Sequence, residues 1–213
     1  MDETEGEGTG KAEWRVLIEI EGPRGVGKST LIAALCAGTG RPGQHFVGAA
    51  TAEEERADPG WFLGTLMRGH DEPMPARESL FLYCARTAAR ARVISSLRAP
   101  GVGVLSDRLG LSLYVQARLA GIASADAWPL VRMALHEVTP DYTVLLDADY
   151  ATHLQRLKEQ GREPQAEPDF EAHRDYFAQA YESVPTAKVR VDTTGMTVQE
   201  VRAVILRELP LHR

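Results

Sequence analysis

Along most of this chain, short apolar, β-branched runs alternate with longer stretches of helical period. Runs near 14–20, 45–49, 102–106, 142–147 and 188–192 are rich in Val, Ile, Leu or Tyr and read as strands. Helical patterns occupy 28–38, 60–69, 76–98, 111–121, 125–138, 150–160, 169–183 and 197–208. Regular strand–helix alternation predicts an α/β fold with a parallel sheet covered on both faces. Ligands of such sheets gather at the carboxyl ends of the strands. Residues 22–29, after the first strand, and Asp107, after the third, therefore belong to one end of the sheet.

Three polar segments interrupt the pattern. Residues 1–12 are acidic and Gly-rich without apolar periodicity, and read as a disordered tail ahead of one domain over 13–213. Residues 51–60 form a second charged stretch, and 159–169 a third, with Gly161, two prolines and several charges. The third has the composition of a mobile loop between two helices, a position that would suit a lid in a phosphoryl-transfer enzyme. A net charge of −6 argues against a nucleic-acid partner. No apolar run approaches a membrane span, and the acidic start is the opposite of a signal peptide, so a cytoplasmic location is expected. Cys36 and Cys84, each in an apolar helical stretch, read as reduced core residues without metal-ligand spacing.

Residues 22–29 read Gly-Pro-Arg-Gly-Val-Gly-Lys-Ser, a complete phosphate-binding loop set between a strand and a helix. Gly22, Gly25 and Gly27 allow a tight turn and close backbone approach, leaving N–H groups to receive anionic oxygens. Lys28 offers a point charge to the β- and γ-phosphates, and the Ser29 hydroxyl a ligand to Mg²⁺. The apolar run ending in Asp107-Arg108 adds a carboxylate for Mg²⁺ or its water and a guanidinium for a phosphoryl oxygen. Arg86 emerges one turn after Leu82 and Tyr83 from a mostly apolar helical face, where it either snorkels or meets an anion. Arg90 and Arg92 read as solvent-facing.

The ordered set of Glu21-Gly-Pro-Arg-Gly-Val-Gly-Lys-Ser-Thr-Leu31, Leu80-Phe-Leu-Tyr-Cys-Ala-Arg86, Asp107-Arg108 with Ser112, and Pro140-Asp-Tyr-Thr-Val-Leu-Leu-Asp147 resembles bacterial thymidylate kinases. Asp169-Phe-Glu171 with Tyr181, and Val191-Asp-Thr-Thr-Gly195, extend the resemblance over residues 13–209. It implies a P-loop NTPase fold, a five-stranded parallel sheet flanked by helices with a mobile lid, and binding of ATP, Mg²⁺ and a phosphate-bearing acceptor. Carried over, Gly22, Arg24, Gly25, Val26, Gly27, Lys28, Ser29 and Thr30 would surround the ATP phosphates, with Ser29 and Asp107 at the metal. Arg86 and Arg108 match the family's acceptor-phosphate arginines, Arg156 and Arg162 its lid arginines, and Asp192 lies beside the ATP base. Lys28, Asp107, Arg108 and Arg162 are the catalytic set this implies, and a homodimer is implied as well.

Departures cluster on the acceptor side. Arg24 stands where the family carries an acid facing the acceptor sugar. Leu82 replaces the phenylalanine that stacks on thymine, Ala85 an Asp or Asn, Leu109 an aromatic, and Gln116 a tyrosine beside the sugar. Losing an aromatic platform forfeits about 1–3 kcal/mol of stacking, and Phe81 or Tyr83 could compensate only if the helix turned. The expected acceptor is therefore dTMP or a modified or non-thymine monophosphate. Two alternatives remain open: a kinase for a small-molecule hydroxyl, with Glu53 or Glu54 as base, and a nucleotide-dependent switch.

Overall fold

The computed structural model of the protein describes residues 16–37, 44–47, 74–97 and 103–209. Its strands are β1 (Leu17–Glu21), β2 (Gln44–Val47), β3 (Gly103–Asp107), β4 (Tyr142–Asp147) and β5 (Ala187–Asp192). They pair in parallel in the order β2-β3-β1-β4-β5. The helices are α1 (Lys28–Ala37), α2 (Ala76–Leu97), α3 (Gly110–Leu119), α4 (Ser124–Leu135), α5 (Tyr150–Glu159), α6 (Glu167–Ser183) and α7 (Val198–Glu208). The expected tail, the 51–60 stretch, the 60–69 helix, the start of the first strand at Trp14, and Glu53 and Glu54 lie outside the described residues.

Strand alternation explains the two-layered core. β1 is buried at all five positions, and successive side chains leave it on opposite faces. Leu17 joins a cluster with Ile94, Leu113, Tyr114 and Phe177 from α2, α3 and α6. Ile18 and Ile20 join the other, with Leu31 and Leu35 of α1 and Val201 and Ile205 of α7. A fully buried Ile such as Ile205 contributes about 1.5–3 kcal/mol. Glu19 and Glu21 share the face of Leu17, so β1 drives two carboxyl groups into the layer that holds α3.

Local signals set several helix ends. Asp149 caps α5 by accepting the Thr152 N–H at 2.7 Å. Thr197 and Glu200 form a reciprocal capping box at α7. Two expectations fail here. Cys36 is exposed at the last turn of α1, off the stripe of Leu31, Ile32 and Leu35 that this helix turns to the core, whereas Cys84 is half-buried and packs against the larger core cluster. Arg90 is not solvent-facing: it is 5% exposed, since α2 lies against the turn after β3 and its side chain reaches backbone carbonyls there.

Asp147 closes the end of β4. Its carboxylate accepts Arg174 Nε at 2.8 Å and Arg190 Nη2 at 2.8 Å, tying β4 to α6 and β5. Burial alone would raise this carboxyl, but the hydrogen bonds from Arg174 and then Arg190 outweigh it and hold it below the ordinary range. A depressed folded value means stability that is present above the unfolded carboxyl value of 3.8 and lost as pH falls through the folded one. We expect urea-unfolding midpoints of wild type to fall more steeply than those of Asp147→Asn below about pH 4. Parallel slopes would remove the triad from the acid-stability account.

Candidate active site

The phosphate loop turns where only glycine fits. Gly22 has φ +139°, and a Cβ there would sit 2.1 Å from the Leu146 carbonyl oxygen, so β4 presses directly on the loop. Gly25, at φ +81°, would place a Cβ 2.9 Å from His153 Nδ1. Val26, fully buried, anchors the loop from below and borders a smaller cavity beside it. The first α1 bond runs from Leu31 N–H to the Gly27 carbonyl at 2.9 Å. The N–H groups of Lys28, Ser29 and Thr30 thus open the helix without intrahelical partners, at its positive end.

A cleft of about 690 Å³ lies over that end. Arg24, Lys28, Ser29, Asp107, Arg108 and Arg162 are among its lining residues, so the first strand's loop, the third strand's tip and the lid meet. The Lys28 ammonium donates to the carbonyls of Gly22, at 2.9 Å, and of Pro23. Burial, then the Arg108 charge, holds Lys28 well below its ordinary value, against the attraction of Asp107 and Glu21. Asp107 Oδ1 is buried and has no hydrogen-bond partner. Such an oxygen, beside the exposed Ser29 hydroxyl, is suited to a hard cation or its water. Among the described residues no cluster of three or more His, Cys, Asp or Glu could hold a metal alone, so the substrate's own oxygens would have to complete this one.

Two buried carboxyls hold the Asp107–Arg108 turn. α3 begins after Leu109, which offers no side-chain cap. Glu21 Oε1 accepts the N–H groups of Leu109 at 2.6 Å and Ser112 at 3.1 Å, and its Oε2 accepts the Ser112 hydroxyl at 2.5 Å. Glu19 accepts Gly110 N–H at 3.0 Å and the Thr143 hydroxyl at 2.7 Å. Arg108 itself adopts φ +66°, a costly backbone for a bulky residue. Its N–H is held by the Ile20 carbonyl, its carbonyl by Arg90 Nη1 at 2.9 Å, and its guanidinium by Ser112 Oγ at 3.0 Å. Arg90 also grips the Asp107 carbonyl at 2.5 Å. Burial, then the Arg86 charge, pulls Arg90 down to about 10, so it stays charged at neutral pH.

A second cavity of about 210 Å³ adjoins the loop, between Val26, Arg156, Thr193 and Met196. Arg156 does not point at the phosphate cleft. Its guanidinium donates to the Thr193 hydroxyl at 2.9 Å and carbonyl at 2.8 Å, laying a flat cationic surface along this cavity. The Thr193 hydroxyl also contacts the Val26 and Asp147 carbonyls at 3.0 and 2.9 Å. Asp192 is exposed and accepts the Thr194 N–H, so Thr193 and Met196 line the cavity in its place. Tyr83 packs on the larger core cluster, and Leu82 and Gln116 are half-buried on α2 and α3. Arg86 precedes Arg90 by one turn, near enough for its charge to act on it.

Comparison with known proteins decides the family. The thymidylate kinase family model matches residues 20–205. The chain belongs to the thymidylate kinase family. Thymidylate kinase of Acinetobacter baylyi is 30% identical over 190 residues, 84% of this chain and 91% of that protein. The enzyme of Ectopseudomonas mendocina is 30% identical over 207 residues, 92% and 95%. Solved structures agree in fold: Candida albicans thymidylate kinase has TM-score 0.64 at 16% identity, covering 90% of this chain and 89% of that one. A deoxyadenosine kinase from M. mycoides has TM-score 0.61 at 17% identity, covering 90% and 97%. Among the described residues no helix is long and apolar enough to cross a membrane.

Within this member of the thymidylate kinase family, the proton on Glu19 is open to test. Burial, then the Glu21 charge, pushes Glu19 up to about 8 against hydrogen bonds from Thr143 and Gly110. The folded chain keeps a proton that the unfolded chain loses at 4.5, so the contribution is full below that value, declines with rising pH and is gone above about 8. Glu19→Gln keeps an acceptor and a donor without the titration. We expect its stability relative to wild type to rise between roughly pH 5 and pH 8 in urea unfolding. A pH-independent difference would place the proton elsewhere.

Proposed function

We propose that this protein is a Mg²⁺-dependent nucleotide kinase that transfers the γ-phosphoryl of ATP to the phosphate of a nucleoside monophosphate, dTMP or a modified or non-thymine analogue. The observation that carries the reading is one cleft in which the phosphate loop, the unpartnered Asp107 carboxyl and three arginines converge. Family membership over residues 20–205 supports the same chemistry.

The loop N–H groups and the start of α1 hold the β- and γ-phosphates. Lys28 leaves its carbonyl partners for the γ-phosphoryl, and an incoming polyanion offsets the burial and the Arg108 repulsion that depress it. Ser29 Oγ and Asp107 would hold the cation, which when bound would supply neutralisation of the charge on the transferring phosphoryl group. Arg108, which lines the cleft, grips the acceptor phosphate together with Arg86 of α2, which lies outside that lining, and Arg162 closes from the lid. An acceptor phosphate oxygen then attacks the γ-phosphorus, the bond to the ADP oxygen breaks, and no strong base is required because the nucleophile is already anionic. The smaller cavity, with the Arg156 plane and Met196, receives the ATP base.

Arg24 sets the acceptor question. It is exposed and lines the cleft, so a positive charge faces the position where an acid would meet a sugar hydroxyl. A panel of monophosphates and free nucleosides with ATP and Mg²⁺ tests the assignment, and transfer to a monophosphate is the expected result. Transfer only to unphosphorylated acceptors would overturn it. Arg86→Ala should lower kcat/KM for the acceptor roughly ten- to a hundredfold, the cost of a charge-assisted hydrogen bond, with a smaller effect on ATP. Equal losses for both substrates would remove Arg86 from the acceptor site.

A further inference from the structure

His153 lies on the inward face of α5, wholly buried, and nothing in phosphoryl transfer itself calls for an imidazole there. Its ring touches three functional segments at once. Nδ1 is 2.8 Å from the Arg24 carbonyl oxygen of the phosphate loop. Nε2 is 3.3 Å from the backbone N–H of Gln165, at the end of the lid segment. The ring packs at a tilt against Phe170 of α6, with centroids 4.3 Å apart, and stacks on Tyr150, 5.8 Å away.

These partners dictate the protonation state. A carbonyl only accepts, so Nδ1 must carry a hydrogen; a backbone N–H only donates, so Nε2 must be bare. The arrangement therefore requires the neutral ring in the Nδ1–H tautomer. Tyr150 completes the clasp by donating its hydroxyl to the Gln165 carbonyl at 3.1 Å. Both backbone groups of one lid residue are thus held from α5, and the same imidazole holds the loop that would carry ATP.

We infer that His153 is a positioning residue that fixes the lid end against the phosphate loop, and that uptake of a proton on Nε2 releases the lid. This rests on the reading of 160–166 as the segment that closes over the donor. Once Nε2 gains a hydrogen, two N–H groups face each other and the Gln165 amide loses its acceptor, while the Arg24 bond survives. The lid end is freed and the loop is not.

The surroundings keep the switch in the neutral position at ordinary pH. Burial lowers the affinity of the ring for a second proton, the Arg24 hydrogen bond acts against that, and the Arg24 charge adds to it. On α6, His173 is bound to the Asp169 carbonyl at 2.7 Å and reaches only the Gln165 side chain. Glu163 on the lid and Glu167 and Asp169 in the first turn of α6 are solvent-exposed, as are Arg162 on the lid and Lys158 and Glu159 on α5. Arg156 is engaged with Thr193.

The test begins without catalysis. Long-range ¹H–¹⁵N spectra of the wild-type protein should show His153 as the Nδ1–H tautomer near neutral pH. The Gln165 amide should shift with the same midpoint as the ring, below the ordinary histidine value. An Nε2–H tautomer, or a Gln165 amide indifferent to the titration of the ring, overturns the proposal. In the ATP-dependent transfer assay, kcat/KM for ATP should fall about tenfold per pH unit below that midpoint. His153→Gln offers a donor and an acceptor but no basic nitrogen, and should flatten that limb, while His153→Leu lowers kcat/KM across the range. The same acid limb in wild type and His153→Gln also overturns it. Absence of any phosphate transfer would count against the proposed function alone, since the spectra need no turnover.

Discussion

The beginning of α3, with its unsatisfied backbone N–H groups, is the constraint on which the site depends. Polar hydrogens buried against a sheet cost about 1–3 kcal/mol each unless they find acceptors. The residue before the helix is Leu109, which supplies none. β1 supplies them instead, through Glu21 and Glu19, because strand alternation turns both toward this layer. The first strand therefore holds the phosphate loop at its end and, sideways, the turn that presents Asp107 and Arg108. The loop and the Asp107–Arg108 turn keep a fixed separation because one five-residue strand carries both attachments.

The cleft is electrostatically unfinished without an anion. Lys28 and Arg108 repel each other, Arg24 and Arg162 border the same space, and Arg90 lies buried beneath. The enclosing structure resists this crowding with backbone carbonyls, which fix Lys28 and Arg90, and with the Asp107 and Glu21 carboxylates. A phosphate-rich ligand would discharge the whole set at once, which is a stronger argument for polyanion binding than any one of these residues. On the far side, the Thr193 hydroxyl joins the loop carbonyl of Val26 to the Arg156 guanidinium, so one residue ties the smaller cavity to the phosphate loop.

Sequence reading reached the sheet order's ingredients, the loop and the Asp107–Arg108 tip because each is written locally: period, glycine spacing, a strand ending in a charge. It missed what depends on partners far along the chain. Arg90 looked solvent-facing since charge alone predicts that, yet its acceptors are carbonyls of a turn seventeen or eighteen positions away. Glu19 and Glu21 sit in an apolar run and gave no sign of serving a helix near residue 110. Asp147 was visible as the end of a strand, but its arginines, Arg174 and Arg190, come from two later elements. His153 carried no motif at all; a lone histidine on a helix acquires meaning only from the carbonyl and amide that face it. Cys36 erred in the opposite direction: its apolar context follows from Ile32 and Leu35, which turn to the core while Cys36 itself faces outward.

The strand order has a consequence for biosynthesis. β1 is the middle of the sheet yet the first strand made: Leu17 pairs with Val104 and Ile18 with Tyr142. Emerging from the ribosome, it has no lateral neighbour until much of the chain has followed, and it carries two carboxyls that are comfortable only beneath a helix not yet translated. Non-local parallel pairing of this kind is slow and leaves apolar edges open in the interval. The charged groups of Leu-Ile-Glu-Ile-Glu thus have a second role, keeping a nascent, unpaired central strand hydrated until its neighbours arrive.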